Sequence, residues 1–177
     1  MQSFDRVQFH GEQTSFGSVQ FRGEWTSFED AQFRGERTSF DGAQFRSRLT
    51  SFEDAQFRGE WTSFGSVQFR GEWTSFEDAQ FRGEQTTFGR AQFHGERALF
   101  DGAQFRGEWT SFEDSQFHGE QTSFEGAQFH AKQTSFQNPR AWSHVYFDWD
   151  PRQPSAPITE KPASVLPEVW PPTVQDN

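Results

Sequence analysis

Phenylalanine marks a regular beat along most of this chain. From Phe4 to Phe136 it recurs at intervals alternating between five and seven residues, as at Phe57, Phe64, Phe69, Phe76 and Phe81. The residue two places before each Phe is small from Val7 to Thr134. It is Ala, Val or Ser in one half of the pattern, as at Ala55, and mostly Thr in the other, as at Thr62. Successive side chains of a strand point to opposite faces, so residues two apart share a face. Each Phe and its small neighbour therefore point inward together, and the Gln or Ser between them points out. The pattern predicts a series of very short strands, each giving one Phe to a shared core. Two extra residues after every second strand, such as Glu60 and Trp61, make a wider corner.

Two halves add up to a twelve-residue unit, AQFRGEWTSFxx, that runs eleven times from Ser3 to Thr134. Self-similarity at a fixed period is the mark of a solenoid, in which each repeat buries its apolar face against the next. A coil of twelve residues would press its Phe rings into a sandwich thinner than the ~10 Å that stacked sheets need. A coil of two units leaves room for four Phe, each with a small residue beside it. Two units per coil are therefore expected, with Phe57 stacked on Phe81. At ~4.8 Å per coil, between about five and six coils make a rod about 25 Å long.

The phrase A-Q-F-R-G at residues 55–59 resembles that of the pentapeptide-repeat family, roughly A-(D/N/Q)-(L/F)-x-G. The resemblance runs from Ser3 to Phe136. It implies a right-handed, four-sided β-helix, all-β, with one pentapeptide per side and the central Phe inside. The chain departs from the family in one regular respect, the two residues inserted in every second side.

After Thr134 the pattern dissolves. Pro139 cannot donate to a ladder and ends the regular strands. Residues 141–150, AWSHVYFDWD, are dense in aromatics. A solenoid needs an atypical unit to close its end, so three regions are expected: a repeat β-solenoid over 1–136, an aromatic C-terminal cap over 137–150 and a Pro-rich tail over 151–177. Trp142, Tyr146, Phe147 and Trp149 carry the cap. The tail, with Pro151, Pro154, Pro157, Pro162, Pro167, Pro171 and Pro172, reads as a polyproline-like linker. Met1 runs straight into the repeat, which leaves room for a segment ahead of it.

Composition narrows the functions. The net charge of −10 argues against a direct nucleic-acid partner, which needs a basic face. The absence of cysteine removes disulfide and thiolate-metal frameworks. With no export signal or long apolar run, no membrane partner is expected, and a soluble cytoplasmic protein is.

The outward positions hold the candidate chemistry. Arg22, Arg34, Arg46, Arg58, Arg70, Arg82 and Arg106 form one recurring set. Glu12, Glu24, Glu36, Glu60, Glu72, Glu84, Glu96, Glu108 and Glu120 form a second beside it. Neighbouring columns of opposite charge make a salt-laced surface, in which an exposed pair contributes at most ~1 kcal/mol. His10, His94, His118 and His130 stand in for arginine. Stacking of His94 on His118 brings two imidazoles together without a third ligand, so no metal is expected. Trp25, Trp61, Trp73 and Trp109 follow the glutamates, and an exposed indole edge suits recognition. Glu60, Glu72, Glu84, Trp61 and Trp73 are the candidate interaction surface.

Catalysis needs unlike groups in one unique constellation, whereas nearly every polar side chain here belongs to a repeated column. His144, Tyr146, Asp148 and Asp150 are unique, and the cap accounts for them. No enzyme and no cofactor are expected. The reading is a scaffold or interaction module for an unidentified protein partner, its oligomeric state open. Two alternatives compete with it. The resemblance implies one, a DNA-mimicking regulator of DNA gyrase or another topoisomerase. The other is an ice- or polymer-binding array of Thr14, Thr26, Thr38, Thr50 and their successors, although the strand phase turns those threonines inward.

Overall fold

The computed structural model describes residues 1–150 and 160–175. The tail expected over 151–177 therefore lies in part, at 151–159 and 176–177, outside the described residues. The chain is an all-β solenoid of about six turns, with parallel strands stacked into four sheets. One coil shows the plan. Trp25–Ser27 forms the first side, Gln32–Phe33 the second, Arg37–Ser39 the third and Gln44–Phe45 the fourth. Leu49–Ser51 then returns to the first side, paired in parallel with Trp25–Ser27. Phe57 pairs with Phe33 below and Phe81 above, so the coil holds two units and residues 24 apart are vertical neighbours (81 − 57 = 24).

The Phe schedule becomes four columns of rings. Phe57, Phe64, Phe69, Phe76 and Phe81 are all buried. Phe52 lies 4.9 Å above Phe28 and 4.8 Å below Phe76, with the rings 1° from parallel. The strand repeat of ~4.8 Å sets that spacing. The first-side and third-side columns meet edge to face, as between Phe52 and Phe64 at 5.4 Å and 89°. That arrangement lets the positive ring edge of one column face the negative ring face of the other. The small residues leave room for this: Ala31, Ala55, Thr26 and Thr62 are buried beside the rings.

Two local expectations need correction. The extra residues do not both widen the corner. Glu60 turns it, but Trp61 opens the longer strand Trp61–Ser63, so first and third sides carry three residues where the others carry two. The serines between Thr and Phe face outward, yet most of them are buried, Ser63 and Ser75 among them. They lie under the Trp and carboxylate columns and accept hydrogen bonds from the turn backbone. Glu77 N donates to Ser75 Oγ at 3.2 Å, and Ser63 donates to the Asp41 carboxylate of the preceding coil.

The turns explain two features of composition. After the Phe of each longer strand the chain bends back, closed by bonds such as Ala55 N to Phe52 O at 3.1 Å. The third residue of that turn is left-handed: φ is 56° at Asp30, 56° at Asp54 and 55° at Asp78. Asp, Asn and Gly tolerate that region best. Gly42, Gly102, Gly126, Asn138 and Asp114 share the place, and Arg6, Ser18, Ser66 and Arg90 hold it too, against that preference. At the other corners the coils approach too closely for a side chain. A Cβ on Gly59 would lie 1.9 Å from the Gly35 carbonyl oxygen. Ser47 and Ala131 nonetheless occupy this position, and the glycine one coil beneath each, Gly23 and Gly107, has turned to φ 124° and 115°. Only glycine holds such a φ cheaply, and its rotation moves the carbonyl aside.

At the C-terminal end each Phe column finishes on a different aromatic. Phe147 stacks on Phe124 at 4.6 Å, Trp149 meets Phe129 at 5.8 Å and Trp142 meets Phe117 at 5.5 Å. The fourth lid comes from the region expected as a free tail: Trp170 meets Phe136 at 5.9 Å. Val165–Leu166 also adds a strand to Gln133–Ser135, with Val165 buried. Tyr146 pairs beside Ser123 at an outward position and is half-buried. No helix of the described residues is long and apolar enough to cross a membrane.

Candidate interaction surface

A coil of 24 residues sends successive twelve-residue units to opposite sides of the rod. Trp61 therefore stands on the third side, in register with Arg37 and Gln85, and Trp73 on the first, in register with Leu49 and Arg97. Glu60 and Glu84 precede third-side strands, and Glu72 precedes a first-side strand. The five expected site residues thus do not form one surface. They divide into Glu60, Trp61 and Glu84 at one corner and Glu72 and Trp73 at the opposite one. Trp61 and Trp73 are each 38% exposed, and Trp25 and Trp109 are half-buried.

The expected pairing of arginine with glutamate columns is replaced by shorter-range contacts. Arg34 and Arg58 each donate to the Gln two places before them on their own strand, Gln32 and Gln56, at 2.6 Å. Among the described residues the ion pairs run vertically instead. Arg48 reaches Glu72 of the next coil at 2.8 Å, and Lys132 reaches Glu108 of the coil before at 2.6 Å. Hydrogen bonding to Glu72 and its charge raise the pKa of Arg48, with the fields of Glu24 and Glu96 adding and slight burial opposing. His94 and His118 do stack, at 4.9 Å and 4°. Burial first, then the charges of His118 and Arg70, hold the His94 pKa below its ordinary value. Each ring nitrogen Nε2 lies 3.1 Å from the Gln of its own strand. No three metal-ligating side chains converge among the described residues.

The most charged feature is one that the twelve-residue reading hides. The turns between first and second sides carry Asp5, Glu29 with Asp30, Glu53 with Asp54, Glu77 with Asp78, Asp101, and Glu125. Backbone rungs hold them in line: Asp30 N to Glu53 O at 3.0 Å, Asp54 N to Glu77 O at 3.0 Å, Asp78 N to Asp101 O at 2.9 Å. Asp148 continues the line through its carboxylate, 3.1 Å from Gly126 N. Arg6 is the basic residue of this ridge, 3.5 Å from Asp30. The turns between third and fourth sides are mixed at the equivalent places: Gly17-Ser18, Gly65-Ser66, Gly89-Arg90 and Gln137-Asn138 carry no acid, whereas Asp41-Gly42 and Glu113-Asp114 do. Glu53 and Asp54 both have raised pKa values. Burial is the larger cause in each, with Glu77, Glu29 and Asp54 acting on Glu53, Asp30 and Asp78 on Asp54, and a hydrogen bond from Ser75 opposing the shift of Glu53. The signal was present in sequence as an acid directly after Phe4, Phe28, Phe52, Phe76, Phe100 and Phe124, in every second unit, and it stands out only when the units are set two to a coil.

The threonines of the ice- or polymer-binding alternative are buried from Thr26 to Thr134, at 0% exposure in both, so that array does not reach the surface. Comparison with family models, with curated proteins and with solved structures gives no match.

Proposed function

We propose that the chain is a non-enzymatic scaffold of the pentapeptide-repeat type that holds columns of side chains at fixed spacing for a protein partner. The observation that carries this reading is the acidic ridge. Ten carboxylates and one arginine line a single edge, mounted on a core whose rings cannot shift without breaking the stack. The same vertical register turns nearly every other outward residue into a repeated column, which suits extended recognition better than chemistry at a point. A photo-crosslinking residue placed singly at Asp54, Trp61 or Gln68 tests this in the source cell's lysate. One protein captured from one position, and displaced by excess unmodified chain, is the expected result. No displaceable species at any of the three positions overturns the reading.

The ridge also favours a second reading, mimicry of a duplex toward a topoisomerase. Its ten carboxylates span six coil steps, about 29 Å at ~4.8 Å each, or one charge per ~3 Å. Duplex DNA carries one per ~1.7 Å, so the ridge has about half the linear charge. The scaffold reading expects no inhibition of gyrase supercoiling at micromolar protein. Salt-sensitive inhibition that disappears in the Glu53→Gln, Asp54→Asn, Asp78→Asn variant would promote the second reading in its place.

A further inference from the structure

One leucine between two tryptophans makes a site. Trp25, Leu49 and Trp73 are vertical neighbours on the first side. Leucine is shorter than indole, and over it opens a hollow of about 120 Å³ bounded by Trp25 and Trp73, floored by Leu49, Ser51 and Ser75, and edged by Glu29 and Glu53 of the ridge. Two coils separate the indoles, ~9.6 Å at the strand repeat, which leaves room for one flat group between them. The rod itself shows which flat group an indole accepts here. The Arg97 guanidinium lies 5.7 Å from the Trp73 ring centre, one coil on, and Arg37 lies 5.6 Å from that of Trp61.

We propose that this hollow binds an arginine side chain of the partner, its guanidinium between Trp25 and Trp73 and its charge met by Glu29 and Glu53. The proposal deepens the scaffold reading and rests on it for the existence of a partner. Three features converge on arginine. A guanidinium stacks on aromatic faces and forms planar hydrogen-bonded pairs with carboxylates, where an ammonium offers only a compact charge. Neither Glu29 nor Glu53 has an ion-pair partner among the described residues, and the nearby Arg48 is committed to Glu72. The raised pKa of Glu53, caused first by burial and then by neighbouring carboxylates, marks a place where a cation is wanted. The adjoining ridge would attract a basic segment and guide it to the hollow.

The test titrates the full chain, with its indole N–H groups isotopically labelled, with N-acetyl-arginine amide. Saturable shifts of the Trp25 and Trp73 signals in the millimolar range are expected, with none from the uncharged citrulline analogue. Leu49→Trp restores the residue that other units carry, so the fold and melting temperature are retained while the shifts are lost. Glu53→Gln should weaken binding several-fold. Absence of shifts, equal shifts with citrulline or with the lysine analogue, or unchanged binding in Leu49→Trp would each overturn the proposal. If a partner is crosslinked while arginine amide fails to bind, this inference falls and the scaffold reading stands.

Discussion

A chain ended at Phe136 is expected to self-associate and to melt well below the full-length protein. Four Phe columns would lose their lids at once: Phe147 from Phe124, Trp149 from Phe129, Trp142 from Phe117 and Trp170 from Phe136. Three sheets would lose their last strand, at Ala141–Trp142, Val145–Phe147 and Val165–Leu166. An uncovered parallel edge over apolar rings is a template for another chain end. A milder cut separates the parts of this lid. Ending the chain at Asp150 keeps Trp142, Phe147 and Trp149 but strips Trp170 from them and from Phe136, and uncovers the strand Gln133–Ser135. It should cost about as much as losing one core ring, ~3–5 kcal/mol. Light scattering and thermal melting read both. If the chain ended at Asp150 melts like the full one, Val165 and Trp170 have no part in closing the rod.

Phe64→Ala should be among the most damaging single substitutions. Phe64 is fully buried, stacked at 4.8 Å on both Phe40 and Phe88, and meets Phe52 and Phe76 edge to face at 5.4 Å. Removing the ring leaves a void inside a stack whose spacing the strands hold open, so collapse is restricted and the loss is about 3–5 kcal/mol. Trp73→Gln supplies the control. Glutamine already fills this place at Gln85 and Gln121, and the main loss is the contact with Arg97, worth roughly 0.5–1 kcal/mol. Denaturant titration measures both, and equal losses would mean that the inner and outer columns are misassigned.

The core was legible because one residue type, on one schedule, does the packing. The spacing of Phe57, Phe64, Phe69, Phe76 and Phe81 dictates both the inward face and the size of the coil. Features that depend on what lies one coil away were not legible in a single unit. Ser63 is polar and outward-facing, yet it is buried and bonded to the Asp41 carboxylate of the coil below. Trp170 and Val165 sit singly among prolines, with no period to betray that they cover Phe136 and extend a sheet. The candidate surface suffered most. Glu60, Glu72 and Glu84 read as one column in steps of twelve, and the turn of 24 splits them, while gathering Glu29, Glu53 and Glu77 into a ridge that no single unit displays.

The ridge lines up only in a coil of 24 residues, and a cysteine pair measures that length directly. The chain has no native cysteine. Gln56 and Gln80 are paired on the second side, whereas Gln68 lies on the fourth. Neighbouring parallel strands bring Cα atoms to ~4.8 Å, within the span of a disulfide. The double variant Gln56→Cys, Gln80→Cys is therefore expected to close an intramolecular link under mild oxidation or with a short thiol-bridging reagent. The pair Gln56→Cys, Gln68→Cys should stay open in the folded protein. Closure of the second pair in place of the first would contradict the coil of two units, and with it the separation of the acidic ridge from the turns at Gly65-Ser66 and Gly89-Arg90.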